Sequence, residues 1–101
     1  MNIAIFGYSG FIGSHIVNVL NKKHNVIKVS ARYIKYNSSD EEIFHYFEKV
    51  LIKPDFIFNF CANTNPKNKN DIFINENLSS LIEKYINKKR LRTQFFHIST
   101  I

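Results

Sequence analysis

Asn2-Ile3-Ala4-Ile5-Phe6 runs directly into Gly7-Tyr8-Ser9-Gly10-Phe11-Ile12-Gly13, and the joint between these two strings decides the fold. The first is a short apolar run ending at a glycine, the form of a parallel strand buried on both faces. After the joint, Ile12, Ile16, Val17, Val19 and Leu20 recur on a helical period between Phe11 and Lys22. The polar string Asn21-Lys22-Lys23-His24-Asn25 stops that helix. The chain has only 3 glycines, and all of them fall inside this strand–turn–helix joint.

Working outward, Val26-Ile27-Lys28-Val29-Ser30 reads as a second strand and Tyr33-Ile34-Lys35-Tyr36 as a short third. Ser38 or Ser39 caps a helix through Glu42 in a capping box, with Ile43, Phe44, Phe47, Val50 and Leu51 as its apolar face. Pro54 ends it and leads into the continuous strand Asp55-Phe56-Ile57-Phe58-Asn59-Phe60. A loop rich in Asn and Lys covers 63–70. The segment 72–89 reads as a long helix that buries Phe73, Leu78, Leu81, Ile82 and Tyr85, and Gln94-Phe95-Phe96-His97-Ile98 is the last strand. Strands alternating with helices imply crossovers and a parallel sheet with helices on both faces. The expected fold is therefore α/β, a doubly wound parallel sheet with strand order 3-2-1-4-5, cut off after the fifth strand. Residues 1–101 form one domain.

Each glycine in the joint has a physical task. Gly7 allows the tight turn off the strand, Gly10 lets backbone approach a pyrophosphate, and Gly13 lets the helix pack closely. The free amides and dipole at the helix start then hold phosphate charge. This arrangement is of the Rossmann type and implies a dinucleotide. Its spacing, G-x-x-G-x-x-G, resembles that of the extended short-chain dehydrogenase/reductase family of NAD-dependent epimerases, dehydratases and dTDP-4-dehydrorhamnose reductases. Asp55 to Ala62 is similar to that family's fourth strand and its N-x-A-A-like ending, and Ile74-Asn75 falls where members carry an asparagine. Phe96-His97-Ile98-Ser99-Thr100 resembles the fifth-strand ending of the rhamnose-reductase branch. The resemblance covers the N-terminal part of a family member. It implies a cofactor site of Gly7, Ser9, Gly10, Phe11, Ile12 and Gly13, flanked by Cys61, Ala62 and Asn63, with Thr100 at the catalytic Ser/Thr position.

The end of the second strand reads Ser30-Ala31-Arg32, with Lys35 nearby and no carboxylate before Asp40. An acidic residue there would bond a ribose 2′-hydroxyl and repel a 2′-phosphate. Arg32 instead offers a planar fork of donors for a phosphate, and Ser30 a further hydrogen bond. The expected cofactor is NADP(H), with NAD open as the alternative.

Family enzymes follow the fifth strand with a Tyr-x-x-x-Lys helix, which this sequence does not contain before Ile101. One such string, from Tyr85 to Lys89, sits on the preceding crossover helix, where a packing tyrosine and a solvated lysine are expected. The expectation is the cofactor-binding portion of a longer nucleotide-sugar reductase, epimerase or dehydratase, inactive alone. The alternative is a non-catalytic redox-sensing or regulatory module.

Bulk properties narrow the classes further. The hydrophobic share of 45% suits a packed core, and no stretch approaches the ~18–20 apolar residues of a membrane span. One cysteine, Cys61, excludes an internal disulfide framework and suits a reducing compartment. The N-terminus lacks a signal-peptide pattern, so a cytoplasmic address is expected. The net charge of +6 is scattered apart from Lys84, Lys88, Lys89, Arg90 and Arg92 at a helix end, where cations complement the dipole. No nucleic-acid, membrane or metal partner is expected. The expected partner is a nucleotide-sugar substrate of the full enzyme, with a homodimer open.

Overall fold

The computed structural model describes residues 1–61 and 65–98. Among these, strands and helices alternate: β1 (Asn2–Phe6), α1 (Phe11–Leu20), β2 (Asn25–Val29), α2 (Asp40–Val50), β3 (Phe56–Asn59), α3 (Lys69–Lys89) and β4 (Gln94–His97). The strands form one parallel sheet in the order β2-β1-β3-β4. In the middle of it, Ala4 stands between Ile27 of β2 and Ile57 of β3.

Side chains alternate across a strand, so each strand divides its apolar residues between two faces. Ile3 and Ile5 pack with Val17 of α1 and with Phe56, Phe58 and Phe60. Ala4, Phe6 and Ile57 face the larger core, closed by Ile43 and Phe47 of α2 and by Leu78, Leu81, Ile82 and Tyr85 of α3. Phe6 and Phe47 are fully buried and meet edge to face, with ring centroids 5.8 Å apart. Both faces of the sheet thus carry helices, as the alternation predicts.

The expected third strand is absent, and this corrects the order 3-2-1-4-5. Ala31–Tyr33 is a single 3-10 turn. The amides of this stretch go elsewhere than to the edge of β2: Arg32 N–H donates to Ser30 Oγ, Ile34 N–H to the Ala31 carbonyl, Ser38 N–H to the Lys35 carbonyl and Tyr36 N–H to Asn70 Oδ1. Only Ile34 in this stretch is buried, while Tyr33 and Tyr36 stay largely exposed. One apolar anchor is too little to hold a strand against the edge of β2, and local turns win. Removing this strand from the expected order leaves the observed sequence of neighbours.

Two of the helix starts follow side-chain caps. Ser39 Oγ accepts the Glu42 N–H and Glu42 returns a carboxylate oxygen to the Ser39 N–H, completing the expected capping box. The long helix α3 begins at Lys69, earlier than its apolar period suggests, because Asn68 Oδ1 accepts the Asp71 N–H at 2.9 Å. It ends at Arg90, which adopts φ 53°, with Lys88 and Lys89 in its last turn.

Gly7 has φ +78°, and a Cβ there would lie 2.7 Å from the Phe60 carbonyl carbon. A Cβ on Gly13 would strike the Gly7 carbonyl oxygen, so the helix packs on the turn itself. Gly10 differs, since the nearest atom to an added Cβ is 3.5 Å away. Gly13→Ala is therefore expected to destabilise the fold by about 2–3 kcal/mol or more, and Gly10→Ala by no more than about 1 kcal/mol. Urea denaturation of the two variants reads the difference, and equal losses would contradict this packing.

Candidate functional site

The carboxyl ends of β1, β2 and β3 and the start of α3 surround a cavity of about 440 Å³. Its first wall is the glycine turn, through Gly7, Ser9 and Gly10. Gly10 N–H closes the turn on the Gly7 carbonyl at 3.2 Å, and Ser14 N–H to the Gly10 carbonyl at 2.9 Å is the first helical bond. The amides of Phe11, Ile12 and Gly13 precede that bond and lie outside the helical ladder. Gly10 supplies no side-chain cap, and the first turn of α1 holds no acidic residue. The helix start therefore keeps its partial positive charge available to an anion.

The second wall is Ala31, Arg32, Ile34 and Lys35. Ser30 Oγ accepts the Arg32 N–H at 3.2 Å, and the Tyr46 hydroxyl donates to the Ser30 carbonyl at 2.6 Å. Buried Ile34 pins the other end of this short segment. Two exposed cations, Arg32 and Lys35, are thus presented from an anchored turn.

The third wall is the end of β3, through Phe60 and Cys61. Buried Asn59 accepts the Cys61 N–H on its Oδ1 at 2.9 Å. Burial pushes the Cys61 thiol up to about 11, so at neutral pH it is a thiol and not a nucleophilic thiolate. The fourth wall is the first turns of α3, with Asn68, Asn70, Asp71, Ile74 and Asn75. Asn70 Oδ1 accepts the Tyr36 N–H at 3.0 Å and Lys69 Nζ lies 5.5 Å from the Tyr36 ring, which ties this wall to the Arg32 segment. Asp71 is the one carboxylate of the lining; its Oδ2 accepts the Lys67 N–H at 2.9 Å beside the positive end of α3.

Of the residues singled out in the sequence, the cavity gathers Gly7, Ser9, Gly10, Arg32 and Cys61, together with Lys35, Ile74 and Asn75. Gly13 is buried beneath the turn, Ser30 braces Arg32 from behind, and Phe11 is 93% exposed at the helix start next to Ile12. Ala62, Asn63 and Thr100 lie outside the described residues. On the wall built by α3 the sequence pointed to Ile74 and Asn75 but missed Asn68, Asn70 and Asp71, although Asn68-x-x-Asp71 is a cap signal that marks a helix starting at this end of the sheet.

Tyr85 and Lys89 are far from the cavity. Tyr85 is buried against Phe44 and Phe47, at centroid distances of 5.7 and 5.4 Å, and Lys89 pairs with Glu48. They sit ~25 Å along α3 from its cavity end. Their spacing is a packing feature, as expected.

A parallel α/β sheet with a glycine turn at the carboxyl end of its first central strand defines a Rossmann-like nucleotide-binding architecture. The chain belongs to the NAD-dependent epimerase/dehydratase family, whose model matches residues 3–101. The family implies a nicotinamide dinucleotide cofactor. Two solved structures are similar to it. The protein lin1944 from Listeria innocua is 26% identical over 59% of this chain and 31% of that one, with a TM-score of 0.46. The capsular polysaccharide assembling protein CapF from Staphylococcus aureus is 20% identical over 96% of this chain and 30% of that one, with a TM-score of 0.44. The chain thus spans under a third of the length of either. No curated protein sequence matches it significantly. Among the described residues, no helix is long and apolar enough to cross a membrane.

Cys61 reports on the cavity wall. With the thiol raised from 9.0 to about 11, its alkylation by iodoacetamide at pH 8 should run roughly a hundredfold below that of a free thiol. The rate should climb with pH through about 11. A labelling rate that levels off near pH 9 would show an open, unperturbed thiol.

Proposed function

We propose that this chain is the NADP(H)-binding domain of a nucleotide-sugar reductase, epimerase or dehydratase. The observation that carries the reading is the meeting, in one cavity, of the uncapped start of α1 with Arg32 and Lys35. Absence of a side chain at Gly10 leaves backbone as the surface that would meet the pyrophosphate, while Gly7 and Gly13 seat the turn and helix beneath it, and the first-turn amides of α1 would donate to it. Arg32 would grip a 2′-phosphate with a fork of donors, and Lys35 would add a second charge. Apolar Ile74 would give the base a surface between the two polar walls. When bound, the cofactor supplies the hydride-transfer chemistry of the parent enzyme.

The nucleotide-sugar substrate rests on family membership and on the resemblance of 96–100 to the rhamnose-reductase branch. Dinucleotide binding is the part of this activity that the chain's own cavity can perform. The remaining substrate contacts and the proton donor would come from elsewhere in a longer protein.

Titration with NADPH and NADH, followed by nucleotide fluorescence, tests the reading. NADPH should bind more tightly than NADH. Arg32→Ala should weaken NADPH about 10–100-fold, the worth of charge-assisted hydrogen bonds to a phosphate, and NADH by less than about 3-fold. Gly10→Ala should weaken both nucleotides, since its Cβ would face the pyrophosphate. Equal affinity for the two nucleotides, unchanged in Arg32→Ala, would defeat the NADP assignment.

A further inference from the structure

Asn59 ends β3 with 1% of its surface exposed, and its carboxamide works on both sides. Oδ1 accepts the Cys61 N–H at 2.9 Å. Nδ2 donates to Ser79 Oγ of α3 at 2.9 Å, and Ser79 Oγ lies 2.7 Å from Nδ1 of His97 on β4. Asn59 Nδ2 also lies 3.4 Å from His97 Nδ1. With the imidazole proton on Nε2, both Ser79 Oγ and His97 Nδ1 accept on this side, and the Ser79 hydroxyl donates to Nδ1. A reversed carboxamide would set its NH₂ against the Cys61 N–H, donor to donor. Ser79 and His97 thereby favour one of two orientations of a buried side chain.

The orientation matters because of what rests on the Cys61 amide. Gly7 packs against the Phe60–Cys61 peptide so closely that a Cβ would be 2.7 to 2.9 Å from three of its atoms. Gly13 packs in turn on the Gly7 carbonyl. Neither glycine has a side chain to absorb a displacement, and close-packed interiors transmit strain. A continuous set of contacts therefore links Ser79 to Asn59, to the Phe60–Cys61 peptide, to Gly7 and to the first turn of α1. Neither Ser79 nor His97 lines the cavity.

We infer that Ser79 and His97 are positioning residues for nucleotide binding: through Asn59 they set where the Phe60–Cys61 peptide lies beneath the phosphate turn. This rests on the dinucleotide reading of the cavity. The isosteric pair Ser79→Thr and Ser79→Val isolates the hydroxyl. Ile82→Val, a core change on the same helix without polar contacts, controls for stability alone.

NADPH affinity and hydrogen exchange of the Cys61 amide, the latter without nucleotide, are measured in each. Ser79→Thr should match the parent protein. Ser79→Val should bind NADPH about five- to tenfold more weakly, the factor one lost hydrogen bond carries, and exchange its Cys61 amide faster. Ile82→Val should lose stability but not affinity. If Ser79→Val does not fold, His97→Ala at its exposed position should show the same signs. Equal affinity in the Val and Thr variants, with the parent protein binding NADPH, would overturn the positioning role alone, as would an equal loss in Ile82→Val. A parent protein that binds neither NADPH nor NADH would overturn the dinucleotide reading, and this inference with it.

Discussion

The Phe60–Cys61 peptide occupies the space where a side chain on residue 7 would be. That contact ties the glycine turn to the neighbouring strand, since Phe60 N–H also donates to the Phe6 carbonyl at 2.9 Å. Once Gly7 is seated there with φ +78°, the chain can reverse only through a tight turn. Gly13 must then pass over the Gly7 carbonyl, and α1 starts at a fixed point above the sheet. Two close approaches between backbone segments thus set the height and direction of the helix start. Any residue larger than glycine would lift α1 away from the sheet and carry its free amides out of the cavity.

The three helices treat their amino ends differently, and the difference follows chemistry. The start of α2 is neutralised by Ser39, Asp40, Glu41 and Glu42, and that of α3 by Asn68 and Asp71. The start of α1 has a glycine cap and no acid. Unsatisfied amides at a helix start cost stability unless water or a ligand satisfies them. A chain that caps two helices with side chains and leaves the third open concentrates its available donors at one place, facing Arg32 and Lys35. Binding an anion there would supply the missing cap, so ligand affinity and fold stability should be linked.

Much of this was legible in the pattern of residues, and the parts that were not share a cause. Apolar runs and glycine placement located four of the strands and all three helices, because the central strands demand continuous apolar strings and each helix an apolar stripe. The segment 33–36 failed as a strand because its period suggests alternation while only Ile34 has anywhere to be buried. Local turns are short-range events that hydrophobic period does not register. The wall formed by Asn68, Asn70 and Asp71 was missed for the related reason that polar residues at a helix start look like loop when counted by composition. The Asn59–Ser79–His97 cluster joins three elements far apart in sequence, and nothing in any one of them announces the other two. Local spacing can reveal a turn or a cap, but not a hydrogen bond across a crossover.

The same reasoning explains why Tyr85 and Lys89 are not a catalytic pair. A four-residue interval places two side chains on one side of a helix and says nothing about which side. Leu78, Leu81, Ile82 and Tyr85 recur at intervals of three and four, so Tyr85 belongs to the stripe that α3 buries. Its ring closes the core against Phe44 and Phe47, where its hydroxyl is pushed above the ordinary range by burial. Lys89, one turn on, reaches past that stripe to Glu48. The amino end of α3 lines the cavity and its carboxyl end does not, because a parallel crossover begins each helix beside the strand ends where ligands collect. In this fold, distance from the helix start is a better guide to chemistry than the identity of any residue pair along it.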